Sequence, residues 1–101
     1  MLSICIPVYN QYIERLVNEL KEQIDNCGES IEIIVIDDFS TNECKPANRE
    51  SCKNKAKYIE LPQNVGRAKI RNIFARYASY GFLLYLDCDS HVESSLFLKN
   101  Y

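Results

Sequence analysis

Phe82-Leu83-Leu84-Tyr85-Leu86-Asp87-Cys88-Asp89-Ser90 is a short apolar run, preceded by Gly81 and closed by two aspartates one residue apart. A run of β-formers and aromatics of this kind reads as a strand buried on both faces, as in a parallel sheet. Asp87 and Asp89 then stand where the strand leaves the sheet, and in open parallel sheets ligands gather outside the carboxyl ends of the strands. Strand alternation points both carboxylates the same way. Like charges that close repel, and a divalent cation or a hydrogen-bonded ligand between them relieves the repulsion. The competing reading is local: Asp87 caps a turn, and Asp89 or Ser90 caps the helix that follows.

Working outward, the same arrangement recurs at Ile31-Glu32-Ile33-Ile34-Val35-Ile36, a β-branched run that ends in Asp37-Asp38-Phe39-Ser40-Thr41. Leu2 to Val8 is a further β-type run, and Pro7 predicts its end at about Ile6, with a turn at Tyr9-Asn10. Between these strands Ile13, Leu16, Val17, Leu20 and Ile24 recur at threes and fours, the signature of an amphipathic helix entered near Tyr12 and closed by Gly28. Asn42 to Lys57 is polar and carries Pro46, and it supports only a short irregular helix near Arg49 to Lys55. Lys57 to Leu61 alternates as a shorter strand that Pro62 breaks.

From Gly66 to Tyr80, Ala68, Ile70, Ile73, Phe74, Tyr77 and Ala78 make an apolar helical face. Arg67, Lys69 and Arg71 fall in the first turns of this helix, where cations oppose the dipole, so the placement invites an anionic partner. A merely solvated basic face is the other reading. After the strand at 82–86, His91 to Tyr101 starts another helix.

Strands and helices alternating at this spacing predict an α/β fold, a Rossmann-like parallel sheet with flanking helices in the order βαβαβαβ. One domain fits in 101 residues. That topology opens three strand ends on one edge: Pro7 to Asn10, Asp37 to Thr41 and Asp87 to Ser90. Twelve Lys plus Arg against 14 Asp plus Glu, net −2, give no sign of a nucleic-acid partner. No apolar run approaches the roughly 20 residues needed to span a bilayer, so no transmembrane segment is expected and the chain reads as cytoplasmic. Five cysteines without a C-x-x-C pair, and a single histidine, His91, argue against zinc. Cys5 and Cys88 read as buried thiols, and an incidental Cys44–Cys52 disulfide is disfavoured in a reducing compartment.

Ser3-Ile4-Cys5-Ile6-Pro7-Val8-Tyr9-Asn10, Glu32 through Thr41, Asn64-Val65-Gly66 with Ala68 and Arg71-Asn72, and Leu86-Asp87-Cys88-Asp89-Ser90 together, in order and spacing, resemble the family 2 glycosyltransferases. The resemblance covers essentially the whole chain. It implies the amino-terminal, nucleotide-sugar-binding half of a glycosyltransferase A fold, with residues 1–101 forming one portion of a longer domain. It implies that Pro7, Val8, Tyr9, Asp37 and Asp38 surround the base and ribose, with Asp38 accepting from a uracil-like N–H. Arg71 is implied near the base or phosphates, Asp87 near the ribose, and Asp89 as the ligand of Mn or Mg bridging the diphosphate. The reaction implied is inverting transfer of a sugar from a nucleotide-diphospho-sugar to a saccharide or lipid-linked acceptor, with the catalytic base expected beyond Tyr101.

Phe39 departs from the pattern, standing where the family usually has a small residue, often glycine. Two other readings accompany the resemblance. One is a catalytically silent binding or scaffold fragment that pairs with a second copy through its exposed sheet edge. The other is a receiver-like signalling domain, which would want its acid pair after the first strand and a lysine ending a late strand. Peripheral attachment at the inner face of a membrane is a further expectation for an enzyme with a lipid-linked acceptor.

Overall fold

Parallel pairing sets the frame. Strands β1 (Leu2–Val8), β2 (Ile31–Asp37), β3 (Lys57–Glu60) and β4 (Leu83–Tyr85) form one sheet in the order β3-β2-β1-β4, every neighbour parallel. The structure, a computed structural model, describes residues 2–27, 30–41 and 43–86. Helices α1 (Glu14–Cys27), α2 (Cys44–Cys52) and α3 (Gly66–Tyr77) connect successive strands. The expected helix at 91–101 and the Gly28 cap lie outside the described residues, as do Asp87, Cys88 and Asp89.

Right-handed crossovers decide which face each helix covers. The chain moves outward from β1 to β2 to β3, which puts α1 and α2 on one face, then returns across the sheet to β4, which puts α3 on the other. The packing follows. Leu2, Ile4, Ile6, Val8, Ile33 and Val35 pack with Ile13, Leu16, Val17 and Leu20 of the α1 side. Cys5, Ile34 and Ile36, the alternate residues of the same strands, pack with Ile70 and Phe74 of α3. The strand order reverses direction between β1 and β4, the topological switch point of the sheet.

Pro7 does not end β1. It pairs with Ile36 in the β1–β2 register, and the strand runs on to Val8. Alternation explains why. The Ser3 N–H donates to the Phe82 carbonyl and the Cys5 carbonyl accepts from Leu86 N–H, so odd residues of β1 turn their polar groups toward β4. Among the described residues β1 pairs with β4 as far as Cys5, and the N–H that Pro7 lacks is not one the β1–β2 ladder uses.

The helix expected near Arg49 to Lys55 instead spans Cys44–Cys52. Its buried residues are Cys44, Asn48, Ser51 and Cys52, so half of its inward face is polar and the rest is cysteine, which leaves little apolar period to read. Asn48 accounts for that polarity: its Oδ1 accepts the Ile13 N–H at 2.9 Å and its Nδ2 donates to the Gln11 carbonyl at 2.7 Å, fixing the entry to α1. Cys44 and Cys52, at opposite ends of this helix, are not joined in a disulfide. Eight residues of helical rise, about 12 Å, hold them beyond disulfide reach.

At the amino edge Glu32 ties the α3 exit to the sheet. Its carboxylate accepts from Ser3 Oγ at 2.6 Å and from the Ser79 N–H at 2.5 Å, and pairs with Lys57 Nζ at 2.9 Å. Burial alone would raise this carboxyl, but the bonds from Ser3, Ser79 and Lys57 and the Lys57 charge outweigh it and hold it below its ordinary value.

Candidate nucleotide site at the carboxyl edge

The two acids at the carboxyl end of β2, Asp37 within it and Asp38 just past it, face opposite ways, as adjacent residues leaving a strand must. Asp37 is wholly buried, and its carboxylate accepts both the Ser40 N–H, at 2.8 Å, and the Ser40 hydroxyl. It holds the turn rather than facing the rim. Asp38 is 8% exposed, and its two carboxylate oxygens accept the N–H groups of Val65, at 2.7 Å, and Gly66, at 3.1 Å. The Asn64 side-chain amide adds a bond to the Asp38 carbonyl at 3.0 Å. Asp38 thus caps α3 from another loop, supplying acceptors for orphan amides that no residue of the helix itself serves. Gly66 meets this geometry with φ +81°, a conformation that glycine adopts without a Cβ penalty. A carboxylate has roughly four lone-pair positions, so Asp38 keeps acceptor capacity beyond the two amides.

Where α3 packs beside the carboxyl ends of β1 and β4 lies a pocket of about 430 Å³, lined by Pro7, Ala68, Ile70, Arg71, Phe74, Tyr85 and Leu86. Its volume suits a small organic ligand. The Arg71 guanidinium lies over the Tyr85 ring, 5.1 Å from its centroid, and the Tyr85 hydroxyl donates to the Arg71 carbonyl at 3.4 Å. Phe74 meets Tyr85 edge-on at 5.9 Å. Burial, then the neighbouring Cys5, raises the Tyr85 phenol above its ordinary value against the opposing pull of Arg71. The ring therefore stays neutral, an apolar wall under a cation. Arg71 forms no ion pair among the described residues, which leaves its planar fork of donors for an anionic ligand.

The expected site residues divide clearly. Pro7 and Arg71 line the pocket, and Asp38 stands at the start of the helix that carries Arg71. Tyr9 is half exposed on the loop after β1. Val8 is turned into the α1 core, and its carbonyl accepts the Asp38 N–H at 2.8 Å. Asp87 and Asp89 lie outside the described residues, within which no group of three or more His, Cys, Asp or Glu gathers as a metal site. Tyr85 and Phe74 belong to the pocket although their sequence signal was that of core residues. Cys5 and Cys52 are poor nucleophiles: burial, then Glu32, pushes Cys5 up to about 12, and burial pushes Cys52 up to about 11 against the pull of Lys55. Among the described residues no helix is long and apolar enough to cross a membrane.

A parallel sheet with a pocket at its switch point, acids at the strand ends and, among the described residues, an arginine outside any ion pair on the pocket wall defines an α/β domain built to take a ligand at its carboxyl edge. The chain belongs to glycosyl transferase family 2, whose model matches residues 3–99. It is 34% identical over 96 residues to the poly(ribitol-phosphate) beta-N-acetylglucosaminyltransferase TarS of Staphylococcus aureus, covering 90% of this chain and 16% of that protein. The crystal structure of S. aureus TarS 1–349 in complex with UDP-GlcNAc superposes with a TM-score of 0.78 at 31% identity, covering 98% of this chain and 29% of that one. The mannosyltransferase PcManGT from Pyrobaculum calidifontis, solved with GDP-Man and Mn2+, shares the fold with a TM-score of 0.83 at 24% identity, covering 98% of this chain and 30% of that one. The chain therefore spans a minor part of the relatives it matches.

Proposed function

We propose that this chain forms the donor-binding half of a glycosyltransferase domain and takes a uridine-diphospho-sugar at its carboxyl edge. The pocket at the β1–β4 switch point, with Arg71 over Tyr85 on its wall, carries the reading. Pro7 and Tyr85 supply apolar surface, Arg71 supplies donors for the base or the diphosphate, and the spare acceptor positions of Asp38 suit a uracil-like N–H. Tyr9, on the neighbouring loop, closes over the nucleoside. UDP-GlcNAc bound to TarS, which is 31% identical, supports a uridine donor over a guanosine one.

Asp87 would lie beside the ribose and Asp89 would hold Mn or Mg. The donor set fits, since carboxylate oxygens are the ligands hard divalent cations take. When bound, the ion supplies Lewis-acid neutralisation of the charge gathering on the departing diphosphate. Inverting transfer to a saccharide or lipid-linked acceptor completes the proposal, with the base supplied from beyond Tyr101. Titration calorimetry with UDP, in the presence and absence of Mn, tests it. Saturable heat with UDP, deepened by Mn, is expected; no binding of any nucleoside diphosphate to the folded chain would overturn it.

A further inference from the structure

The loops that follow β1 and β2 both contribute to the proposed donor site, Tyr9 on one and Asp38 on the other. The bonds between these loops converge on Asn10. Its N–H donates to Ser40 Oγ at 2.8 Å, and its side-chain Oδ1 accepts the Thr41 N–H at 2.7 Å. The Ser40 hydroxyl has one proton, and that proton is given to the buried carboxylate of Asp37. Its lone pairs therefore face the Asn10 N–H, so the bonds run in one direction from Asn10 through Ser40 to Asp37. A hydroxyl polarised by a carboxylate is a stronger acceptor, and each bond in such a series reinforces the next.

The backbone of Asn10 is part of the same device. Its φ is +54°, a left-handed conformation that asparagine tolerates better than other residues with a Cβ. In that conformation its main-chain N–H and side-chain carbonyl reach successive residues of the other loop. We infer that Asn10 is a positioning residue of the donor site, latching the β1 loop to the β2 loop through Ser40 and Thr41 so that Tyr9 and Asp38 present one rigid rim. This rests on the donor-site reading above, and it assigns a role to Asp37 as well: the wholly buried acid anchors the latch.

Three substitutions separate the parts. Asn10→Asp keeps an oxygen for the Thr41 N–H, Asn10→Gly keeps the left-handed backbone and the bond to Ser40, and Asn10→Ala keeps neither side-chain acceptor nor conformational ease. UDP titration should show the Kd rising about tenfold in Asn10→Ala, less in Asn10→Gly, and within about threefold of wild type in Asn10→Asp. Amide exchange measured without nucleotide gives a second readout. Slow exchange at Asn10 and Thr41 in wild type should become fast in Asn10→Ala, with the Ile34 amide in mid-sheet unchanged. Equal UDP affinity in Asn10→Ala and wild type, or fast exchange at both amides in wild type, would overturn the latch. Failure of wild type to bind UDP would remove the donor reading alone, and the exchange measurement would still decide the latch.

Discussion

The carboxylate of Asp38 accepts the N–H of Gly66, 28 residues further along, at 3.1 Å, and so the loop after β2 caps the helix that carries Arg71. Capping bonds of this type contribute about 1–2 kcal/mol. Asp38→Ala should lower stability by about that amount, since it leaves the Val65 and Gly66 amides unserved. Asp38→Asn, with one acceptor oxygen in place of two, should fall between. Urea unfolding followed by circular dichroism measures both; an unchanged midpoint in Asp38→Ala would show that the cap carries no weight.

Phe39 holds φ at +63° with its ring 41% exposed and Lys45 Nζ 5.2 Å from the ring centroid. A left-handed residue with a Cβ is strained by roughly 1–2 kcal/mol, whereas glycine is not. Against this, glycine loses more backbone freedom on folding, about 0.5–1 kcal/mol, and forgoes the cation–π contact, about 0.5 kcal/mol at an exposed site. These contributions nearly cancel. Phe39→Gly should therefore be about as stable as wild type, while Phe39→Ala, which keeps the strain and loses the ring, should be less stable by about 0.5 kcal/mol. The order of the three urea midpoints is the measurement, and a Phe39→Ala protein more stable than Phe39→Gly would contradict the strain argument.

Glu32 gives the fold an acid-sensitive joint. Its folded-state carboxyl lies below the ordinary value of 4.5 because its bonds to Ser3, Ser79 and Lys57 outweigh burial. A depressed acid contributes stability that is fully present above 4.5 and is lost as pH falls through the lower folded value. Glu32→Gln should cost about 1–2 kcal/mol at neutral pH and flatten the fall in stability as pH drops from 4.5 through the lower folded value. Thermal melts from pH 7 down to pH 3 read this directly. Parallel curves for wild type and variant would place the acid sensitivity elsewhere.

The succession of apolar β-forming runs in the sequence was enough to place β1 through β4 and to bring Pro7 and Asp38 to one edge, because parallel strands connected by helices have little choice of topology. It did not decide what each acid does. Asp37 and Asp38 are one residue apart and so face opposite sides of the sheet, but which side carries α3 follows from the chain's return to β4, not from either residue. The partners of Asp38, Val65 and Gly66, offer main-chain groups that no side-chain pattern advertises. Pro7 was legible as a breaker and misread as a strand end, because its tolerance depends on which neighbour its missing N–H would have faced. Tyr85 looked like core and lies on a pocket wall, since β4 is both a short strand and the border of the switch point.

Arg71 tests the pocket most directly. Its guanidinium lies over the Tyr85 ring and belongs to no ion pair among the described residues, so removing it orphans no charge among them and should leave the fold intact. If the proposed donor site is right, Arg71→Ala should raise the Kd for UDP about tenfold, equivalent to about 1.4 kcal/mol, with little change in melting temperature. Arg71→Lys keeps the charge but loses the planar fork and the stacked face, so it should recover only part of the affinity. Raising ionic strength should weaken UDP binding to wild type more than to Arg71→Ala, because the variant has one cation fewer to screen. Titration calorimetry at two salt concentrations measures all of this. Equal affinity and equal salt dependence in wild type and Arg71→Ala would mean that the phosphates lie away from this helix, and the anionic partner of α3 would have to be sought on another face.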